Sequence, residues 1–440
     1  MTIARRIAIV GGGWSGLSCA AWLKREQPGL SITIFEASPQ LGGRARGLSW
    51  TVPTSDQAIP IDNGQHLTIG AYRETFALLS MVGAPQWEST PLVWTGVSRG
   101  ARITQTWQVP DTAWPWRALA GLLPGRGPTG WPPTWKRSIA RTLVRLIRHR
   151  WQAAPQSALA WLNRQNVPDD FIAHFWRPLC EGALNTALEE ASAQILIRVV
   201  RDSLAGPSGS TRVMTPPTNL SQEGVDPIVH WLDRHGVTIR PRCRIDRHHA
   251  LAAFDRVVLA LPTPATIRYW DNSGLPATFA KERWDRLESR PITTVWIALS
   301  PDQLQAMHHL PDWFVLNALP QVPHIGQVVV KRRDAIGVVI SAHGIADRID
   351  AAQLLAQQLS TQLGIAIEQC PQKWITEKQA TWAATCDAPM ASSDEANGDT
   401  GVPHLYRCAD DLEPGYPATI ESAVRSGKRV AMRIANDCSD

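Results

Sequence analysis

Gly11, Gly13 and Gly16 fall in the spacing G-x-G-x-x-G directly after the apolar run Ile7-Ala-Ile-Val10, and an acid, Glu36, stands twenty residues past the third glycine. Residue types in that pattern suit one task, the holding of a pyrophosphate and the ribose attached to it. Gly11 allows a tight turn, Gly13 lets the backbone approach the pyrophosphate at a helix N-terminus, and Gly16 permits close helix–strand packing. Trp14 and Ser15 complete the loop on which the phosphates would lie. Glu36 can accept hydrogen bonds from both ribose hydroxyls. Just beyond it, Leu41-Gly-Gly-Arg-Ala-Arg46 supplies Gly42, Gly43 and the guanidinium of Arg44, which could reach the same phosphates. The sequence carries no metal-ligand cluster, nucleophile elbow or P-loop.

Positioning these groups takes a strand, a helix and a second strand. Ile7 to Val10 reads as a short buried parallel strand; Leu17, Ala20, Ala21 and Leu23 give the following helix its buried stripe, and Gln27-Pro-Gly29 stops it before a strand from Ser31 to Phe35. This is a complete βαβ unit. α/β character resumes between Ile228 and Pro264, with a helix to His235, a strand at Val237 to Ile239 and the β-rich run from Arg256. From Trp87 to Pro133 the chain is rich in Trp, Pro and Gly and predicts short strands with irregular loops, after which helical spacing continues to Ala205. A Pro/Gly/Ser/Thr cluster from Gly206 to Pro217 marks a boundary. Residues 271–395 alternate strand-like runs (Thr293 to Leu299, Val328 to Val330, Val338 to Ser341) with a helical run, Ala351 to Leu363. The economical architecture is α/β with two interleaved domains: 1–86, 211–270 and 396–440 form a Rossmann-like dinucleotide domain, and 87–210 with 271–395 a substrate and lipid domain.

At 440 residues the chain is long enough for two or three folding units with ample core. No stretch approaches the roughly 18 apolar residues of a membrane-spanning helix. Basic residues exceed acidic ones by 44 to 39, too little to imply nucleic-acid binding. The excess is local, because Arg99 to Arg150 holds ten basic residues against Asp111 alone. Seven scattered cysteines, never spaced C-x-x-C, read as reduced thiols and point to the cytoplasm. Ten of the twenty tryptophans lie between Trp87 and Trp176.

The fingerprint, its acid and the G-G-R run together resemble the flavin-containing amine oxidase and phytoene desaturase superfamily, whose members bind FAD. Asp62-Asn-Gly-Gln-His-Leu67 followed by Gly70-Ala-Tyr-Arg73 is similar to the D-N-G-Q-H-x-x-x-G-A-Y signature of one family within it, the hydroxysqualene dehydroxylases or squalene-associated FAD-dependent desaturases. Phe175-Trp-Arg-Pro-Leu179, Ala183-Leu-Asn-Thr186 and Arg201-Asp-Ser203 resemble that family's helical segment. Pro417-Ala-Thr-Ile-Glu421 with Ala423-Val-Arg-Ser-Gly427 resembles its P-A-T-I-E-G-A-V-x-S-G motif. These blocks span nearly the whole chain in the expected order. The resemblance implies FAD as cofactor, noncovalently held, with contacts from Gly11, Gly13, Trp14, Ser15, Gly16 and Glu36. It also implies contacts from Gly42, Gly43 and Arg44, from Asn63, Gly64 and Gln65, and from Asp411, Ala418 and Thr419.

Two departures stand out. Where the superfamily writes A-G-D, with the acid on the ribityl chain, this sequence has Ala409-Asp410-Asp411, then Leu412 in place of a tryptophan and a loop one residue shorter before Pro417. The added carboxylate is expected to weaken cofactor binding unless the loop is re-registered. The strand that meets the adenine offers Arg242 and Cys243 ahead of Ile245, which leaves the adenine contact open.

What the resemblance implies chemically is reductive removal of the hydroxyl of hydroxysqualene, giving squalene. The hydroxyl is allylic, so protonating it as it leaves generates a delocalised cation that hydride from reduced flavin can quench; the protein has to supply a dry tunnel, a proton donor and a rigid flavin. His66, Glu181 and Asp202, each inside a family-like block, are the candidate donors, and an external reductant has to recycle the flavin. Alternatives are another FAD-dependent amine oxidase, a carotenoid-type desaturase, or a non-catalytic lipid- or partner-binding relative. The Trp-rich basic region reads as an aromatic core with a solvated face, as the wall of a hydrocarbon tunnel, or as a membrane contact. For the last, residues 134–151 present an apolar stripe of Trp135, Ile139, Leu143 and Leu146 flanked by six basic residues, an element expected to dock on an anionic bilayer and to hold the protein at the inner face of the membrane.

Overall fold

The computed structural model describes all residues except 1–4, 54–57, 112–121, 123–126, 323, 333, 343–347 and 440. Trp114 and Trp116 of the Trp-rich stretch lie outside the described residues. Strands β1 (Arg6–Val10) and β2 (Ser31–Phe35) flank helix α1 (Trp14–Glu26), as the periodicity requires. They are joined by β3 (Thr238–Arg240), β4 (Arg256–Leu259) and β5 (Leu405–Arg407) in one sheet of order β3-β2-β1-β4-β5. Every pairing in it is parallel, with Ile7 opposite Ile32 and Arg256. A parallel sheet is covered on both faces, which explains why Ile7, Ile9 and Ile34 on one face and Ala8, Val10 and Leu259 on the other are all buried, and why β1 reads as an unbroken apolar run.

α1 leans on the long helix α3 (Ile420–Ser439). Their approach depends on Gly427, where a Cβ would stand 2.3 Å from the Ser15 carbonyl oxygen. No other residue type fits at that crossing.

The second sheet has seven strands in the order Gln372–Trp382, Ser289–Ala298, Ala335–Ile340, Val328–Lys331, Trp313–Leu316, Val93–Ser98, Arg102–Gln108. Its pairings are antiparallel except that of Trp313–Leu316 with Val93–Ser98. Part of the Trp-rich region, expected as short strands with irregular loops, thus forms a bulged strand pair inside a larger sheet.

The tryptophans of that region make an aromatic core. Trp94, Trp107, Trp131 and Trp135 pack with Phe171, Phe175 and Trp176, Trp135 stacking on Phe171 at 4.9 Å between ring centres. This decides the orientation of helix α2 (Pro133–Arg148), whose stripe was expected at a bilayer surface. Trp135, Ile139, Leu143 and Leu146 are each 3% exposed or less, facing this core. Each is stabilised by about 1.5–3 kcal/mol through that burial, against about 1 kcal/mol gained per basic residue near an anionic surface, so the stripe does not leave the core. What faces solvent is the basic side, with Arg137, Arg141, Arg145, Arg148 and Arg150 exposed. No described helix is long and apolar enough to cross a membrane.

Candidate functional site

At the end of β1 the chain turns through Gly11 at φ +113°, where a Cβ would lie 2.3 Å from the Ala260 carbonyl oxygen; a Cβ on Gly16 would lie 2.1 Å from that of Gly11. Both glycines are demanded by packing. Gly13 is different, because the nearest atom to a Cβ there is Gly43 Cα at an ordinary 3.8 Å. The missing side chain therefore leaves open space before α1. Gly13 is the N-cap of that helix, with no side-chain cap and no acid in the first turn, which suits an anion.

Glu36 follows β2. Its Oε2 accepts from the Gly12 amide at 2.7 Å and its Oε1 from the Ser38 amide at 2.7 Å, and each oxygen keeps a further lone pair. With Gly11, Cys243, Ile245, Leu261 and Tyr269 it lines a cleft of about 200 Å³. Arg242 adopts φ +54°, so that its amide reaches the Ser38 carbonyl and the Cys243 amide that of Glu36. Cys243 and Ile245 thereby wall the cleft.

The other predicted residues gather around this loop with varied partners. The Gly42 amide donates to the Gly12 carbonyl at 2.9 Å, bringing the G-G-R run against the fingerprint. Asn63 clamps that run: its Nδ2 donates to the Arg44 carbonyl at 2.8 Å, and its Oδ1 accepts from the Arg46 amide at 3.0 Å. The side chain of Trp14 turns into the core, its indole N–H on the Ala45 carbonyl, and Ser15 is buried against α3. Gly64 and Gln65 sit beside the second sheet, the Gln65 amide donating to Thr294 Oγ1 at 3.2 Å. Thr419 caps α3 by exchanging hydrogen bonds with Ser422, and Ala418 touches the aromatic core. Two buried polar atoms here, Gln65 Oε1 and His66 Nδ1, lack a partner. Orphaned groups of this kind await a ligand or a water.

The segment after β5 departs from the expectation. Asp411 does not face an open groove: Oδ1 accepts from Arg407 at 2.6 Å, and Oδ2 from Arg407 at 2.8 Å and Arg283 at 2.7 Å. All three side chains are buried, and Arg283 also holds Glu395 at 2.6 Å. Burial pushes the Asp411 carboxyl up, but the two arginines outweigh it and hold it well below the usual range. Asp411 is therefore the centre of a buried charge cluster with Arg407 and Arg283. Its neighbour Asp410 meets Arg44, Oδ1 to Nη2 at 2.6 Å. Sequence reasoning placed neither Arg283 nor Arg407 at the site; Arg407 stands four residues before Asp411, a spacing that could have suggested the pair.

The three candidate proton donors have unlike surroundings. Asp202 is held by Arg198 and Arg201, each at 2.9 Å, in a partly exposed ion pair. Burial lowers the His66 imidazole to about 4 against a small opposing effect from the Gly64 backbone, so it is neutral at neutral pH. Glu181 is 6% exposed, bonded to Arg177 at 3.0 Å and to Gln327. Burial raises its carboxyl above the ordinary value despite both partners. Its carboxyl is thus shifted by burial towards holding its proton more firmly than a free glutamate does. Among the described residues no cluster of ligands suits a metal ion.

Comparison with known proteins agrees with this geometry. Residues 9–81 match the family described as NAD(P)-binding Rossmann-like domain. The chain is 26% identical to the hydroxysqualene dehydroxylase of Sinorhizobium fredii over 97% of both chains. It is 25% identical to that of Zymomonas mobilis over 96% of this chain and 97% of the relative. Cyclohexylamine oxidase from Brevibacterium oxydans has the same fold, with a TM-score of 0.67 at 14% identity over 99% of this chain and 100% of that one. With similarity running from the fingerprint to α3 in this way, the chain is similar to hydroxysqualene dehydroxylases along nearly its whole length, on a fold shared with cyclohexylamine oxidase.

Proposed function

We propose that this oxidoreductase is FAD-dependent and removes the hydroxyl of hydroxysqualene reductively to give squalene. The observation that carries the reading is similarity over nearly the full length to relatives named for that activity. The residues present fit FAD at its adenosine end: Glu36 lines an open cleft, and the space at Gly13 is one a Cβ would fill. When bound, the reduced flavin supplies a hydride. The chain's own residues do the rest. Gly11 to Gly16 and Glu36 hold the dinucleotide, the aromatic core keeps water from an allylic cation, and Glu181 gives its proton to the departing hydroxyl, which leaves as water. Anaerobic, photoreduced protein incubated with hydroxysqualene should yield one squalene per flavin reoxidised. Glu181→Gln should slow the step by about 10²-fold or more with flavin content unchanged. Absence of squalene from flavin-loaded protein would sink the reading.

We further propose that the substrate is taken from an anionic bilayer touched by the solvent face of α2. Arg137, Arg141, Arg145, Arg148 and Arg150 are exposed, and none of them forms an ion pair among the described residues. With the apolar stripe buried, the contact is electrostatic and without insertion, hence strongly salt-sensitive. Co-sedimentation with anionic vesicles should fall by about 100-fold when Arg141, Arg145 and Arg148 become Gln, at roughly 1 kcal/mol each. Equal sedimentation of the triple variant and the parent would reject α2 as the contact.

A further inference from the structure

The two ends of the proposed cofactor groove differ in a way the family pattern does not anticipate. The Glu36 end is an open cleft of about 200 Å³. Next to the G-G-R run the room is closed: the space bounded by Arg44, Thr263, Gln379, Thr381, Asp410 and Asp411 holds about 10 Å³, about enough for one water. What closes it is the Arg44 side chain and its partners. Nη2 donates to Asp410 Oδ1 at 2.6 Å, and Nη1 donates to the carbonyls of Ala380 at 2.8 Å and Gln379 at 3.3 Å. The side chain thus ties the glycine-loop region to the edge strand of the second sheet and to the turn after β5.

Arg44 follows directly on Gly42 and Gly43, which lie against the backbone of Gly12 and Gly13. Its positive charge is already answered within the protein. Burial alone would lower the Arg44 guanidinium, but Asp410, with Glu377 and Asp411 further off, raises it above its ordinary value. Asp411 is in turn satisfied by Arg407 and Arg283, so the carboxylate that bears on Arg44 directly is Asp410.

We infer that Asp410 occupies on Arg44 the place of a dinucleotide phosphate, so that the cofactor has to displace a carboxylate built into the chain in order to bind. The inference rests on the FAD reading above and adds to it a latch. Two consequences follow from competition between a carboxylate and a phosphate for one guanidinium. Removing the carboxylate's charge strengthens cofactor binding, and the gain runs through Arg44. Opening also precedes binding, so the observed association rate levels off as FAD is raised.

The test uses full-length apoprotein, with FAD binding followed by flavin fluorescence and folding checked by circular dichroism. Asp410→Asn, which keeps the shape and loses the charge, should bind FAD about tenfold more tightly than the parent, and its association rate should rise linearly with FAD where the parent's saturates. Asp410→Gly serves as the second variant and should behave alike. Arg44→Gln should cost little in the parent and about tenfold in the Asp410→Asn background. Equal or weaker FAD binding by both folded Asp410 variants, or a gain that survives Arg44→Gln, overturns the latch and leaves the cofactor reading standing. Failure of folded parent and variants alike to bind FAD overturns both.

Discussion

A Gly13→Val protein is expected to fold and yet to purify without flavin. The distinction between the three fingerprint glycines makes this a clean result. At Gly11 and Gly16 a side chain would collide with backbone carbonyls, 2.3 Å and 2.1 Å from the new Cβ, and substitution there tests folding, not binding. At Gly13 the backbone is extended, φ −80° and ψ −179°, and the nearest atom to a Cβ is 3.8 Å away. The fold tolerates a side chain, at the expense of at most about 1 kcal/mol for the altered helix start. The pyrophosphate does not tolerate it, since the valine methyls would stand where the phosphates approach the N-terminus of α1. The flavin-to-protein absorbance ratio should fall to background while the far-ultraviolet dichroism and the melting temperature stay close to the parent's. A folded variant with undiminished flavin would move the cofactor away from this loop.

Asp411→Ala is expected to cost about 3–5 kcal/mol of stability, the toll of removing one partner from a buried ion pair. Arg407 is 1% exposed and Asp411 6%. Without Asp411, Arg407 keeps the hydroxyls of Thr263 and Thr266 and the face of Trp284, none of which carries a charge. Arg283 retains Glu395. The pH dependence has a definite sign. The folded-state carboxyl lies below its ordinary value, so its stabilisation is complete above about pH 4, the usual aspartate value, and is lost as pH falls from there through the depressed folded value. Denaturation by urea should show the full gap between parent and variant at pH 7 and a shrinking one below about pH 4. A gap absent at pH 7, or unchanged in acid, would contradict the cluster's role. Asp411→Asn, which keeps acceptor and shape, should lose less.

What could be read in the sequence was what local geometry dictates. The βαβ unit was legible because a turn at φ +113° and a helix packed on a strand admit glycine alone, and because β1 is buried on both faces and runs apolar from Ile7 to Val10. The strand Gln372–Trp382 was not legible. It is an edge strand, half-buried along most of its length, and its mixture of Lys, Glu, Gln and Trp shows no clean alternation. The stripe on α2 was found correctly as a stripe, but periodicity says that a face is covered without saying by what; Phe171, which stacks on Trp135, lies a loop and another helix away. The partners of Asp411 escaped for a related reason, Arg283 being 128 residues distant in the chain. The odd residue at 410 was visible in the motif, whereas its capture of Arg44 depends on a contact spanning 366 residues.

The order of strands in the parallel sheet sets a timetable for biosynthesis. β1 and β2 leave the ribosome early, but their sheet is finished by β5 at Leu405–Arg407 and α1 is braced by α3 from Ile420 onward. At about 5–20 residues per second of synthesis, the nascent glycine loop waits roughly 20–80 s for the elements that complete its surroundings. On the proposed function, cofactor loading would accordingly be a late event, and a polypeptide stalled before β5 would leave the edge of β4 unpaired, a natural target for chaperones.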